Sequence, residues 1–316
     1  MYKVLRIINR FNLGGPTYNA GYLTKYLPDN FETKLIGGPN EKCEADSLFI
    51  LESIGVKGQV IEEMRRSLNP LNDLRSFRKI LKIIKEYKPD IVHTHASKAG
   101  TLGCLAAWFS GVPVIVHTYH GHVFHSYFNV FKTLIFKTIE RFLARQSSAI
   151  VVISQLQKEE LCKKFKIIPE KKTHIIPLGF DLSRFSINQS EKRVVFRSRY
   201  KILDNEILVV IVGRLASVKN HEMFLKIVKS IKDSNSTINF RFMIVGDGET
   251  RKYLEDMALT IGLSISTPEE QTENSDIIFT SWIREIENVY AAADISVLTS
   301  LNEGTPVSLI ESLAAG

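Results

Sequence analysis

At 316 residues the chain is too long for one ordinary domain, and about 150 residues per domain makes two the prior. An apolar share of 44% and a charged share of 24% suit a globular chain with a sizeable core and exclude disordered and fibrous classes. The net charge of +7 fits an anionic substrate, an anionic membrane surface or nucleic acid, without choosing among them.

In chain order, the first half alternates short β-branched runs with longer amphipathic stretches. Val4–Ile8 reads as a strand, Asn19–Leu27 as a helix and Lys34–Ile36 as a weaker strand. Leu71–Tyr87 carries apolar residues at 71, 74, 77, 80, 81 and 84, which is helical spacing. Strand Ile91–His95, helix Gly100–Phe109, strand Val114–Thr118, helix Phe131–Arg145, strand Ala149–Ile153, a helix to about Phe165 and strand Thr173–Ile176 complete this series. A polar, charged stretch, Asp181–Glu206, reads as a linker. The pattern then restarts with strand Leu208–Val212, helix His221–Ile231, strand Phe240–Val245 and helix Thr250–Gly262. It continues with Ile277–Phe279, Ile286–Ala292, Ile295–Leu298 and Thr305–Ala315. Ser264–Ser275 reads as an exposed loop. Two such series predict two Rossmann-like α/β domains, residues 1–185 and 186–316, facing across a cleft. The second series looks cut short at Ala314-Ala315-Gly316, where a helix would cap and a further strand begin. A chain lacking its last elements is the expectation, and a natural C-terminus the alternative.

Cys43, Cys104 and Cys162 lie far apart and form no C-x-x-C pair, which suggests a reducing compartment rather than a zinc knuckle or a disulfide framework. The N-terminus enters a strand pattern without the apolar core of a secretory signal. No apolar run reaches the length of a membrane span, so a cytoplasmic location is expected.

Four groups of residues could carry chemistry. Glu303-Gly304-Thr305-Pro306-Val307-Ser308-Leu309-Ile310-Glu311 follows a strand and places one carboxylate on a loop and another in a helix. At the carboxyl end of a parallel strand both could accept hydrogen bonds from sugar or ribose hydroxyls. Equally, Glu303 could complement the helix dipole while Glu311 is merely solvated. Arg214 and Lys219 lie on the turn that opens the His221 helix, where two cations suit a diphosphate. Lys219 alone would pass as a surface cation. Gly14-Gly15 after the first strand would let backbone N–H groups approach a phosphate or sugar, although Gly-Gly turns are common. Gly246-Asp247-Gly248-Glu249 reads as a turn. Among His93, His95, His117, His120, His122 and His125, only His120 is well placed for substrate, lying beyond a strand end. His93 and His117 read as core residues, and neither a carboxylate nor Cys at ligand spacing supports a metal. The basic amphipathic helix Phe131–Arg145 could lie on an anionic membrane or present a solvated face.

On Leu13-Gly14-Gly15, His93-Thr94-His95-Ala96-Ser97-Lys98-Ala99-Gly100-Thr101-Leu102-Gly103, His117-Thr118-Tyr119-His120-Gly121-His122, Gly213-Arg214…Lys219-Asn220, Gly246–Glu249 and Glu303…Glu311, the chain resembles the retaining glycosyltransferases of family 4, over essentially its whole length. It is most similar to bacterial enzymes of capsule, O-antigen and exopolysaccharide synthesis. The resemblance implies the GT-B fold, with an acceptor-binding first domain and a donor-binding second. It also implies transfer of a hexosyl or N-acetylhexosaminyl unit from a UDP- or GDP-sugar to a glycan or polyprenyl-linked acceptor. Arg214 and Lys219 would hold the donor diphosphate and Glu311 the ribose. Glu303 would contact the transferred sugar, with Gly304 and Thr305 of the same motif also on the donor. Gly14 and Gly15 would close over it, and His120 would sit beside the sugar and the acceptor. No D-x-D occurs, so the two cations and a helix N-terminus would replace a metal clamp; no cofactor and no nucleic-acid partner are expected. Pro306 and Ser281 stand where many members have Gly, which puts one backbone contact and part of the base region in doubt. A GT-B sugar-nucleotide epimerase and a non-catalytic sugar-nucleotide binder are the alternatives; no motif supports the former, and the four intact donor residues oppose the latter.

Overall fold

The computed structural model describes residues 1–12, 15–40, 47–65, 67, 69–120, 130–234, 237–268 and 274–316, with the side chains of 130–133, 135 and 136 excepted. The chain forms two compact units, Met1–Phe180 and Asp181–Gly316.

The first unit is a parallel sheet wrapped by helices. Its elements are β1 (Tyr2–Arg10), α1 (Gly15–Lys25), β2 (Phe31–Gly38), α2 (Leu48–Ser53), β3 (Gly58–Val60), α3 (Pro70–Tyr87), β4 (Ile91–His95), α4 (Ser97–Phe109), β5 (Val114–Tyr119), α5 (Val130–Gln146), β6 (Ala149–Val152), α6 (Gln155–Glu159) and β7 (Thr173–Ile175). A π-helical turn, Glu160–Lys164, continues α6. The strand order is β3-β2-β1-β4-β5-β6-β7. β1 has Val4, Leu5, Ile7 and Ile8 all buried, with buried Arg6 between them, as in a strand covered on both faces. The order reverses between β1 and β4, where Ile8 lies opposite His95. α3 begins where the Asn69 side chain accepts from the Leu71 and Asn72 N–H groups, with Pro70 at the first helical position. It ends at Lys88, whose left-handed backbone precedes Pro89.

The second unit repeats the logic with α7 (Ser183–Ser186), α8 (Gln189–Arg199), β8 (Ile207–Val212), α9 (His221–Asp233), β9 (Phe240–Val245), α10 (Arg251–Thr260), β10 (Ile265–Ser266), β11 (Ile277–Phe279), α11 (Ile286–Ala292), β12 (Ile295–Val297) and α12 (Val307–Ala315). Its parallel sheet has the order β10-β11-β9-β8-β12. The order reverses between β8 and β12, so the loops that follow these two strands flank the crevice where open α/β sheets take ligands.

Two expectations need correction. Asp181–Glu206 is not simply a linker. It contains α7 and α8, and α8 packs on α11 through buried Phe196 and Arg197. The helix escaped notice because Val194 and Val195 face solvent while its buried stripe includes an arginine. Arg197 donates through its two terminal nitrogens to the carbonyls of Ala292, Leu203 and Glu206 and to Asp294, so its charge is matched inside although Nε is buried without a partner. Likewise, Ser264–Ser275 is not wholly loop, because Ile265 and Ser266 pair in register with Ile277 and Ile278. α2 and β3 were not anticipated either.

Candidate functional site

The loops after β8 and β12 are stitched together. Thr299 Oγ1 donates to the carbonyls of Lys219 (2.9 Å) and Asn220 (3.0 Å), and the Leu301 N–H donates to the Val218 carbonyl. Ser217–Lys219 forms a 3-10 turn, and Asn220 takes a left-handed conformation that turns the chain into α9. This fixes the Lys219 backbone beside the β12 loop. Its ammonium reaches Glu303 Oε1 at 2.5 Å, with both side chains about a quarter exposed. The pair places a cation and a carboxylate together at the mouth of the crevice, both open to a ligand.

Arg214, on the same loop, turns toward the β9 loop, where Nη2 and Nε donate to Glu249 Oε2 at 2.8 and 3.1 Å. The Gly246–Glu249 segment is more than a turn. Gly246 sits at φ +137, and a Cβ there would lie 2.1 Å from the Gly213 carbonyl. The two loops therefore interlock backbone to backbone, with Leu215 donating to the Asp247 carbonyl and Thr250 to the Leu215 carbonyl. Asp247 ties in the loop after β11 as well, since Ser281 Oγ donates to its Oδ2 at 3.1 Å. Arg251 holds Asp247 Oδ2 and the Thr280 carbonyl. The Ser281 hydroxyl thus anchors the segment that carries Trp282, whose indole nitrogen is buried without a protein partner.

Glu311 lies apart from the Lys219–Glu303 pair, on α12 among α11 and α7. Tyr290 donates its hydroxyl to Glu311 Oε2 at 3.4 Å. Burial pushes the Glu311 carboxyl up to about 7, although the Arg184 charge and the Tyr290 hydrogen bond pull it down. Gly304 is exposed, and Thr305 accepts from the Val307 N–H. Pro306 caps α12 without an N–H of its own, and its carbonyl accepts from Leu309 and Ile310. Sequence reasoning passed over Tyr290 and Arg184. Tyr290 sits in an apolar helix, and Arg184 in the segment read as a linker.

In the first unit the histidines form a contiguous ring cluster. His93 Nε2 meets Thr118 Oγ1 at 2.8 Å, His117 Nδ1 meets Thr94 Oγ1 at 2.7 Å, and His95 Nδ1 meets His120 Nε2 at 3.0 Å. The His93 and His95 rings lie 4.3 Å apart, and His95 stacks on His120 at 5.3 Å. Burial holds all four below the ordinary histidine range, His117 to about 3 and His120 to about 4, so they are neutral imidazoles near pH 7. His93 and His120 are half-buried and His95 and His117 buried, and the second ring nitrogen of His120, Nδ1, is buried without a protein partner. Arg6 is buried beside the cluster and donates to Thr24 Oγ1.

Not all of the His93–Gly103 segment faces a ligand. Lys98 spends its ammonium on the Arg65 and Ser67 carbonyls and on Asp73, each within 2.7 Å. A Cβ on Gly100 would lie 2.5 Å from the His117 ring, so this glycine serves the packing of α4 on β5. Gly15 opens α1; Gly14, Gly121, His122 and His125 lie outside the described residues. Among the described residues, no three His, Cys, Asp or Glu side chains gather so as to hold a metal ion. Nor is any helix among them long and apolar enough to cross a membrane.

Comparisons with known proteins agree with this picture. The family model described as Glycosyltransferase Family 4 matches residues 14–184, and that of Glycosyl transferases group 1 matches 195–316. The chain is 32% identical over 266 residues to the UDP-Gal:alpha-D-GlcNAc-diphosphoundecaprenol alpha-1,3-galactosyltransferase of Escherichia coli, covering 83% of this chain and 65% of that protein. It is 24% identical to a GalNAc-alpha-(1->4)-GalNAc-alpha-(1->3)-diNAcBac-PP-undecaprenol alpha-1,4-N-acetyl-D-galactosaminyltransferase of Campylobacter jejuni, over 99% of this chain and 77% of that one. Among solved structures, Anabaena HepE in complex with UDP and glucose superposes with a TM-score of 0.75 at 17% identity, covering 100% of this chain and 79% of that one. The two α/β units are of the GT-B type.

Proposed function

Since the chain belongs to glycosyltransferase family 4, we propose that it transfers a hexosyl or N-acetylhexosaminyl unit from a UDP- or GDP-linked donor to a glycan or polyprenyl-linked acceptor in cell-surface polysaccharide synthesis. The observation that carries this reading is the Lys219–Glu303 pair, fixed by two interlocked loops at the point where the strand order reverses. The relatives support it: the Escherichia coli protein is named for UDP-Gal, and both relatives bear undecaprenol diphosphate acceptors in their names.

In this reading Lys219 leaves Glu303 in part to meet the donor diphosphate, joined by Arg214. Both stabilise the negative charge that grows as the bond from the sugar C1 to the phosphate oxygen breaks. Glu303 accepts hydrogen bonds from the hydroxyls of the transferred sugar, with the backbone of Gly304 and Thr305 beside it. Glu311 takes the ribose, Gly14 and Gly15 approach the donor, and neutral His120 borders the sugar and acceptor. The acceptor oxygen bonds to C1 on the face the phosphate leaves, and the departing phosphate oxygen takes the acceptor proton. Configuration is thereby retained without a protein nucleophile. The two cations perform the charge neutralisation that a metal would otherwise supply.

We further place the enzyme in the cytoplasm, with peripheral contact to an anionic membrane. Leu134 and Phe142 are exposed on α5, and Phe142 meets Trp108 edge-on at 5.5 Å. Trp108 in turn adjoins exposed Phe109, with Arg145 at the end of α5. Failure to sediment with anionic liposomes at low salt would remove that contact.

The transfer itself is tested by supplying UDP- and GDP-sugars with a polyprenyl-linked acceptor in the presence of EDTA. Nucleoside diphosphate release with at least one donor is expected. No release with any donor sinks the transfer reading; release that requires added magnesium sinks metal independence.

A further inference from the structure

Three elements converge on Glu311. α11 brings Tyr290 and Glu287, α7 brings Arg184, and α12 carries Glu311 itself. β12, also packed against α12, offers only Ser296, which accepts from Ser312. Tyr290 is 5% exposed, and its ring lies 6.0 Å from that of Phe185, which is buried as well. The Arg184 guanidinium sits over the Phe185 ring at 4.8 Å and reaches Glu287 Oε2 at 3.8 Å. The aromatic pair and the arginine thus make a built floor under the Glu311 carboxylate, with the tyrosine hydroxyl directed at one oxygen, Oε2.

A carboxylate that accepts both hydrogens of a vicinal diol must be ionised and must have an oxygen free. Without its neighbours, the half-buried Glu311 would favour the protonated form, which donates where the ligand also donates. One hydrogen bond and one nearby cation oppose that tendency, and Glu287 adds to it. We propose that Tyr290, backed by Arg184, is a positioning residue that keeps the Glu311 carboxylate charged and aimed at the ribose diol of a nucleoside diphosphate. This rests on the donor-site reading above. It extends that reading to two residues outside the recognisable motif, one of them in the segment that looked like a linker.

The measurement is calorimetric titration of the whole chain with UDP and with GDP from pH 5.5 to 8.5, for wild type and for Tyr290→Phe. With the nucleotide that binds, wild-type affinity should climb with pH through about pH 7, where the Glu311 carboxyl is half ionised, and level off above about pH 8. Tyr290→Phe removes the hydrogen bond that favours ionisation, so its curve should move to higher pH. Affinity at pH 7 should fall about three- to tenfold and recover toward wild type at pH 8.5. Phosphate ionisation of the nucleotide is common to both proteins and cancels in their ratio. Arg184→Gln should shift the curve in the same direction, and it serves if the tyrosine variant folds poorly. With 2′,3′-dideoxy-UDP or its guanine counterpart, wild type and variants should give parallel curves. Superimposed curves with the natural nucleotide, or a uniform loss at every pH, overturn the positioning role while leaving the donor site standing. Absence of binding by both nucleotides overturns the donor reading itself, and the positioning role with it.

Discussion

In the proposed reaction Lys219 has two partners, and the structure shows one of them. Its ammonium is matched by Glu303 at 2.5 Å, so the cation proposed for catalysis is not an isolated charge. A diphosphate brings more negative charge than one carboxylate, and its charge grows on the bridging oxygen as the sugar leaves. The interaction is therefore stronger in the transition state than in the ground state, which is the condition for raising kcat. Lys219→Ala should lower kcat by about 10²- to 10³-fold with a smaller change in KM, by analogy with the removal of one preorganised donor. The partly exposed side chain should leave thermal stability nearly unchanged. A variant that folds normally and turns over like wild type would end the leaving-group role. Arg214 differs in that Glu249 holds it by two hydrogen bonds, and it must release or share that partner to reach a phosphate.

At the scale of elements, α8 shows how a helix whose buried stripe pairs Phe196 with an arginine is held. Arg193 and Arg197 both reach Asp294, which also accepts from the Leu208 N–H, so one carboxylate joins α8, the start of β8 and the end of α11. Desolvation pushes Asp294 up, but the Leu208 N–H and the two arginines outweigh it and hold it below the ordinary carboxylate range. Arg197→Met keeps the volume but leaves the Ala292, Leu203 and Glu206 carbonyls without that donor. It should cost about 3–5 kcal/mol, as removal of one partner of a buried ion pair does. Urea unfolding monitored in the second unit would report it, and a loss below about 1 kcal/mol would show that the arginine is dispensable.

This same element marks the limit of what could be read in advance. Phe240–Val245, Ile277–Phe279 and Ile286–Ala292 were legible to the residue, because strands buried on both faces are mostly apolar and buried helices repeat at helical spacing. α8 was not, since beside Phe196 its buried stripe is completed by an arginine held by hydrogen bonds rather than by further apolar side chains. In the site, Lys219 and Glu303 were foreseeable as loop residues at strand ends, but their pairing depends on Thr299 and Leu301 stitching two loops distant in sequence. Tyr290 and Arg184 left no local signal, as their role arises only when α7, α11 and α12 come together. Gly246 looked like an ordinary turn glycine until the Gly213 carbonyl was found where its Cβ would be.

For the whole molecule, pH acts through buried groups of opposite kinds. His93, His95, His117, His120 and His221 are all held below their ordinary value of 6.5 by burial, His117 to about 3 and His120 and His221 to about 4. Below pH 6.5 the unfolded chain takes up protons at these positions that the folded chain refuses, so they make stability fall as pH drops from 6.5 toward 4. Glu140 and Glu311 work in reverse. Burial pushes both from 4.5 to about 7, so between those values the folded chain keeps protons that the unfolded chain has lost, and stability falls as pH rises. Where the windows overlap, five histidines act against two carboxyls among the described residues, and the histidines prevail. The thermal midpoint should therefore decline steadily from pH 7 to pH 5 at constant ionic strength, and a midpoint at pH 5 equal to or above that at pH 7 contradicts the balance. Glu140→Gln separates the two sets. It keeps a group that can accept from Tyr119, whose hydroxyl donates to Glu140 Oε2 at 2.7 Å, but it removes the ionisation. The variant should gain on wild type at pH 8, where the native carboxyl is ionised at the cost of its burial, and lose that advantage at pH 5, where both are neutral. An advantage of the same size at both pH values would show that the glutamine repacks the site rather than relieving a buried charge.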